Sequence, residues 1–205
     1  MPAAKVTVEA FFTKTAAEPE QPTAPAMSFV DVSEKDWFYN AVAYAYENGL
    51  MSGTSATTFA PNDKLTRAMV AQVIYNLEGT PAVSGTQFTD VAAGMWYTNA
   101  ITWAAQNGLV SGYGDGKFGP NDLVTREQLA VILNHYAQFK KMTATATGSL
   151  AAFTDGATAS DWAVNALVWA VDNGVMAGKG NSTLDPKGTA TRAEVAQMFM
   201  NFLEA

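Results

Sequence analysis

The sequence predicts a mainly α protein, built from three tandem helix–loop–helix repeats and preceded by a short β-strand and a linker. Three observations predict it. First, ten residues from Phe29 to Arg67 recur 59 positions later, from Phe88 to Arg126, without a gap. A third copy follows, offset by 65 residues at Phe153 and Asp155 and by 66 from Trp162 to Arg192, the change reflecting one extra loop residue. Second, apolar residues in each copy recur at helical spacing and stop at Asn-Gly. Third, the chain has only three arginines, and each follows a threonine that opens an apolar run. A period of this length marks stacked supersecondary units. The repeats are placed at residues 28–85, 86–148 and 149–205, after an N-terminal segment 1–27.

In chain order, Val6, Val8, Ala10 and Phe12 alternate with Thr7, Glu9, Phe11 and Thr13, which is strand periodicity. A lone strand is unstable, so it is expected to complete a sheet or to close an upstream domain. The Pro- and Ala-rich stretch after it reads as an extended linker, and the whole as the C-terminal part of a longer protein. The first helix of the first repeat is expected to place Trp37, Ala41, Val42, Ala45 and Tyr46 on one face. It stops at Asn48-Gly49, where glycine takes the left-handed C-cap conformation; Asn107-Gly108 and Asn173-Gly174 repeat the stop. Loops carrying Gly53, Gly112 and Gly178 follow, and these glycines are expected to supply unusual backbone angles, with close ligand approach as the second reading. The pair Asp115-Gly116 predicts a tight turn in the middle loop.

Each second helix starts at a threonine. Thr66, Thr125 and Thr191 are N-cap residues, and Gln128 and Glu194 three positions later complete a capping box that Met69 does not. The stripe Val70, Val73, Ile74 and Leu77 needs a partner surface that one helical pair cannot supply, so the copies are expected to cover one another.

The formal charge of −7 argues against generic nucleic-acid binding, which depends on clustered Lys and Arg. With no cysteine there is no disulfide, no thiolate chemistry and no cysteine zinc site. No apolar run approaches the roughly 18 residues of a membrane span, and the N-terminus lacks the basic and apolar regions of a signal peptide. No hydrolase, nucleotide-binding or metalloprotease signature occurs, and Gly114-Asp115-Gly116 lacks the alternating ligands of a calcium loop. The single histidine, His135, reads as a surface or packing residue. Neither a catalytic residue, a metal site nor a cofactor is expected.

The order Phe-x-Asp, Trp, Asn-Gly-Leu, Gly, Phe-x-Pro and Thr-Arg-Ala-Glu resembles the S-layer homology (SLH) family over residues 28–205. Residues 112–130 and "ATRAEVAQMF" (190–199) carry it most specifically. The resemblance implies a pseudo-threefold helical assembly of three repeats. It implies an extracellular, wall-attached location in an S-layer or other bacterial surface protein. The partner it implies is an acidic, commonly pyruvylated, secondary cell-wall polysaccharide, with peptidoglycan as the other wall partner, and neither nucleic acid nor membrane insertion. It places the Thr-Arg motif at grooves between repeats and associates its arginine with ligand. A noncatalytic wall anchor is the leading reading. A structural lattice subunit is the alternative, and a wall-associated hydrolase with its catalytic part upstream is the third.

Arg67, Arg126 and Arg192 are therefore the leading ligand-binding candidates. A cation at a helix N-terminus sits at the unfavourable end of the dipole, so three of three placed there points to a use beyond helix stability. Free N–H groups, the dipole and a guanidinium fork together make an anion site. The bland alternative pairs each arginine with Asp31, Asp90 or Asp155 and locks the repeats together; those aspartates also stand in the candidate set. Trp37, Trp96 and Trp162 are candidates for sugar stacking, against half-buried packing, while Trp103 and Trp169 read as core. The copies differ: Met69 stands for the motif glutamate in the first, Glu127-Gln128 for Ala-Glu in the second, and Leu184 for the loop phenylalanine in the third, where Ala163 stands at the position of Tyr97. At least one groove is expected to be weakened.

Overall fold

Six α-helices account for most of the regular structure in the computed structural model, which describes residues 27–142 and 146–204. They are α1 (Tyr39–Glu47), α2 (Arg67–Leu77), α3 (Thr98–Gln106), α4 (Arg126–Phe139), α5 (Val164–Asp172) and α6 (Arg192–Glu204). The expected N-terminal strand falls outside the described residues.

Local chemistry sets the helix ends as expected. Thr66, Thr125 and Thr191 accept from the amides of Met69, Gln128 and Glu194. The side chains of Gln128 and Glu194 reach back to the threonine amides, completing the box in copies two and three but not in copy one. Gly49, Gly108 and Gly174 stop α1, α3 and α5 at φ of 66°, 71° and 68°.

The first helices begin two residues later than their tryptophans. Trp37, Trp96 and Trp162 therefore lie in the preceding turns, not on the buried stripe with Ala41 and Val42, and they are 64%, 57% and 58% exposed. Half-buried packing is thus corrected for all three, whereas Trp103 and Trp169 are buried as expected.

The apolar stripes are covered between repeats, not within them. α2 packs on α3 of the second repeat, α4 on α5 of the third, and α6 returns to α1 of the first. The circle closes on a ring of main-chain hydrogen bonds among three buried residues. Leu65 N donates to Ala190 O at 3.2 Å, Ala190 N to Val124 O at 3.0 Å, and Val124 N to Leu65 O at 3.0 Å. Equivalent residues thus bond head to tail, which is the pseudo-threefold arrangement. Phe59, Phe118 and Leu184 are fully buried at equivalent places, so the leucine fills the third loop's phenylalanine site.

Gly53, Gly112 and Gly178 do not have the unusual backbone angles expected of them, since none has a positive φ. Their reason is space. A Cβ at Gly112 would meet Lys117 O and the ring of Phe88, and at Gly53 it would meet Ser55 O and the ring of Phe29. The left-handed loop position is instead filled by Ala60, Gly119 and Asp185, with φ of 58°, 71° and 56°.

Candidate functional site: three grooves, each built by all three repeats

Each arginine leaves its own repeat to hold the loop of the next. Arg67 donates from Nε to Phe118 O at 2.9 Å and from Nη2 to Ser111 O at 2.7 Å. Arg126 does the same to Leu184 O and Ala177 O, and Arg192 to Phe59 O and Ser52 O. The first amides of each helix join this grip. Arg67 N and Ala68 N donate to Asp122 O and Pro120 O, with the same pattern from Arg126 and Glu127 and from Arg192 and Ala193. The helix N-termini are therefore not open anion cradles. Their amides are consumed by carbonyls of the neighbouring loop, which corrects the expectation of free N–H groups.

The aspartates hold the same loops from the other side. Asp31 accepts from Phe59 N at 2.8 Å and Ala60 N at 2.7 Å; Asp90 accepts from Phe118 and Gly119, and Asp155 from Leu184 and Asp185. Among the described residues no arginine forms an ion pair with an aspartate, so the expected Arg–Asp lock is replaced by a loop clamped between the two. Burial acts to raise the Asp31 carboxyl, but the two loop amides, with Arg192 beyond them, hold it below its ordinary value. At Asp155 the amide of Leu184 is the main cause of a similar lowering.

Three grooves open beside these clamps. The α4 groove, about 300 Å³, is lined by Arg67 of the first repeat, Leu109–Tyr113 and α4 of the second, and Trp162 of the third. The α6 groove, about 370 Å³, combines Arg126 of the second repeat, Val175, Ala177–Lys179 and α6 of the third, and Trp37 of the first. The α2 groove, about 320 Å³, combines Arg192 of the third repeat, Leu50–Thr54 and α2 of the first, and Trp96 of the second. Arginine, loop glycine and tryptophan thus meet as Arg67–Gly112–Trp162, Arg126–Gly178–Trp37 and Arg192–Gly53–Trp96. The aspartates line none of the three.

The three arginines are buried residues, with 6%, 3% and 9% of their surface exposed for Arg67, Arg126 and Arg192. Burial pulls each below the ordinary arginine value, opposed by nearby acidic groups. Arg67 lies over the rings of Phe118 and Tyr113, at 4.5 and 4.8 Å, and Arg192 over Phe59 at 4.4 Å.

Charge distinguishes the grooves. Only the α6 groove is lined by a carboxylate: Glu194 lies 3.6 Å from Arg126 Nη1 and 3.1 Å from Lys179 Nζ. Burial acts to raise Glu194, but the Thr191 amide, Lys179 and Arg126 together hold it ionised below its ordinary value. At the equivalent place Met69 and Gln128 bring no charge to the α2 and α4 grooves.

Several lining residues escaped the sequence reading. Gln72 and Asn76 on α2, and Gln197 and Asn201 on α6, form matching amide pairs in which glutamine Nε2 donates to asparagine Oδ1. Each asparagine donates in turn to the carbonyls that end the preceding helix, Gly49 and Leu50 or Gly174 and Val175. On α4 the same positions hold Val131 and His135, and both line the α4 groove. The signal was present in the offsets of five and nine residues from each arginine.

A family model described as "S-layer homology domain" matches residues 28–69, 87–130 and 152–196. An amylopullulanase of Thermoanaerobacterium thermosulfurigenes is 33% identical over 86% of this chain and 10% of its own length. The exoglucanase XynX of Acetivibrio thermocellus is 31% identical over 87% of this chain and 16% of its own. A surface-layer 125 kDa protein of Lysinibacillus sphaericus is 30% identical over 89% of this chain and 16% of its own. The chain thus spans between a tenth and a sixth of the length of these relatives.

Proposed function

Because the chain belongs to the S-layer homology domain family, we propose that residues 28–205 are a noncatalytic cell-wall anchor that grips an acidic secondary polysaccharide in the grooves between its repeats. One observation carries the reading: each groove gathers a buried guanidinium, a glycine-lined loop and an exposed tryptophan from three different repeats. An exposed indole offers a flat face to a sugar ring, and the guanidinium edge offers charge-assisted donors to a carboxylate such as a pyruvate ketal. The net charge of −7 means that contact geometry in the groove, not long-range attraction, supplies the grip. Two of the relatives named above carry enzyme names and one a surface-layer name. In this reading such a function belongs to another part of a longer chain, exported to the bacterial surface, and the repeats hold it there.

The test is sedimentation with purified Gram-positive wall. Wall that keeps its acidic polysaccharide should retain the protein, and wall chemically stripped of that polymer should not. Equal retention on both would move the ligand to peptidoglycan, and retention on neither would end the anchoring proposal.

A further inference from the structure

We infer that Glu127 is a positioning residue of the α4 groove: from the second repeat its buried carboxylate grips Ser160 of the third, and so fixes the turn that presents Trp162. For what Trp162 does, this rests on the anchoring reading above; for what holds the indole, it rests on geometry alone. Glu127 is the second residue of α4, where α2 and α6 carry Ala68 and Ala193. The main chain does the same at all three places. Each amide donates to a proline carbonyl of the neighbouring loop, Pro120 for Ala68, Pro186 for Glu127 and Pro61 for Ala193. Both alanines are 1% exposed, so a methyl group is enough for packing there. Glu127 is 3% exposed, and a carboxylate carried into such burial costs stability unless it is well partnered. Its partners show its use. Oε2 accepts from Ser160 N at 3.0 Å, and Oε1 accepts from Ser160 Oγ at 3.1 Å and Lys187 Nζ at 3.0 Å. Lys187 Nζ also donates to Ser160 Oγ, which closes a knot of three side chains.

Ser160 opens the turn on which Trp162 sits, since Ala163 N donates to Ser160 O at 2.8 Å. The first two repeats close the matching turn one residue later relative to the tryptophan, from Tyr39 N to Asp36 O and from Thr98 N to Met95 O. They also tie it with a side chain of their own. In the first, Asp36 Oδ2 accepts from Ser33 N at 2.8 Å; in the second, Thr98 Oγ1 accepts from Met95 N and donates to Ala92 O. The third repeat has Asp161 and Val164 at these positions. Valine carries no polar side-chain atom. Thr158, four residues before its tryptophan as Ser33 is, donates its amide to Asp155 O instead. The Trp162 turn therefore takes its side-chain fastening from another repeat. Trp162 lines the cavity with Arg67, and Glu127 does not. Glu127 thus acts on the groove through the placement of the indole, not by touching what the groove holds. An indole that is 58% exposed has few contacts of its own, so the turn beneath it decides where its face points.

The experiment uses the full chain carrying Trp37→Ala and Trp96→Ala and labelled with 5-fluorotryptophan, so that Trp162 is the one exposed indole beside the buried Trp103 and Trp169. Trp162→Phe identifies its fluorine resonance. Adding Glu127→Ala should move that resonance toward the position of a free indole and leave the other two in place. Glu127→Gln, which keeps an acceptor oxygen for Ser160, should largely restore it. Affinity for wall that keeps its acidic polysaccharide should fall roughly threefold to tenfold with Glu127→Ala, and Glu127→Ala should cost nothing further once Trp162→Ala is present. A Trp162 resonance unmoved by Glu127→Ala, or moved equally by Glu127→Gln, overturns the inference. So does an equal loss of affinity with and without the indole, which would make Glu127 a structural residue only. Alanine already occupies this place in two repeats, so the variant is expected to fold. Should its thermal transition be lost, Ser160→Ala, which removes only the hydroxyl bonds, carries the same two readouts. If the wild type binds wall and the double tryptophan variant does not, the α4 groove is idle and the inference fails while the anchoring reading stands. A wild type that binds no wall ends the anchoring reading, and the Trp162 resonance alone then decides whether Glu127 places the indole.

Discussion

Arg192 and Asp31, from opposite ends of the described chain, grip the two sides of one residue: Arg192 Nε donates to Phe59 O at 2.7 Å, and Asp31 accepts from Phe59 N at 2.8 Å. The same vice closes on Phe118 between Arg67 and Asp90, and on Leu184 between Arg126 and Asp155. The arginines are therefore fasteners between repeats before they are anything else. Replacing any one by alanine strands two loop carbonyls that it now satisfies. Each such variant should lose about 1.5–3 kcal/mol by chemical denaturation, and the triple variant should not fold cooperatively. A triple variant with wild-type stability would contradict the clamp.

Arginine substitutions consequently mix stability with binding, and the tryptophans separate them. Trp37, Trp96 and Trp162 are exposed, so alanine at any of them should leave the melting temperature nearly unchanged. Affinity for intact wall should fall by roughly 1 kcal/mol for each groove in use. Three alanine variants with undiminished wall binding would exclude the indoles from the interface.

A fragment of residues 28–85 should be poorly ordered by circular dichroism. Within it, α2 lacks α3, α1 lacks α6, and Leu65 has lost both neighbours in the main-chain ring. A sharp thermal transition in that fragment would show that one repeat can bury its own stripe.

Acid should unfold the protein only at low pH. Asp31, Asp90, Asp155, Glu78 and Glu194 all titrate below their ordinary values in the folded state. Such groups stabilise the fold above their unfolded values, and the contribution disappears as pH falls through the folded ones. The melting temperature should therefore stay level from pH 7 to about 4.5 and drop below about pH 4. Asp90→Asn, which keeps one acceptor for two loop amides, should be less stable at pH 7 and should lose less on acidification.

Much of this protein is local, and local features are legible along the chain. The threonine caps, the Asn-Gly stops and the apolar period each rest on residues within a few positions of one another. They set the helices and their repeat count. Even the lost capping box of the first copy follows from Met69 alone. Two local readings failed for a common reason. Gly53, Gly112 and Gly178 looked like residues of special φ, and the helix amides beside Arg67, Arg126 and Arg192 looked free. In each case what decided the matter was an atom far away in sequence: a packed ring and carbonyl for the glycines, the next repeat's loop for the amides.

By itself the sequence determined three equivalent units, each with an apolar stripe in need of cover and an arginine in need of acceptors. It did not determine partners, because three copies of one pattern carry equivalent apolar stripes and periodicity cannot say which copy covers which. Tertiary structure decided that. The head-to-tail ring of Leu65, Val124 and Ala190 closes the circle, sends α6 back to α1, and so brings Arg67, Gly112 and Trp162 from three repeats into one groove. The physical reason is that a stripe on one repeat is buried only against the next. The grooves exist only where that chain of burial has closed on itself.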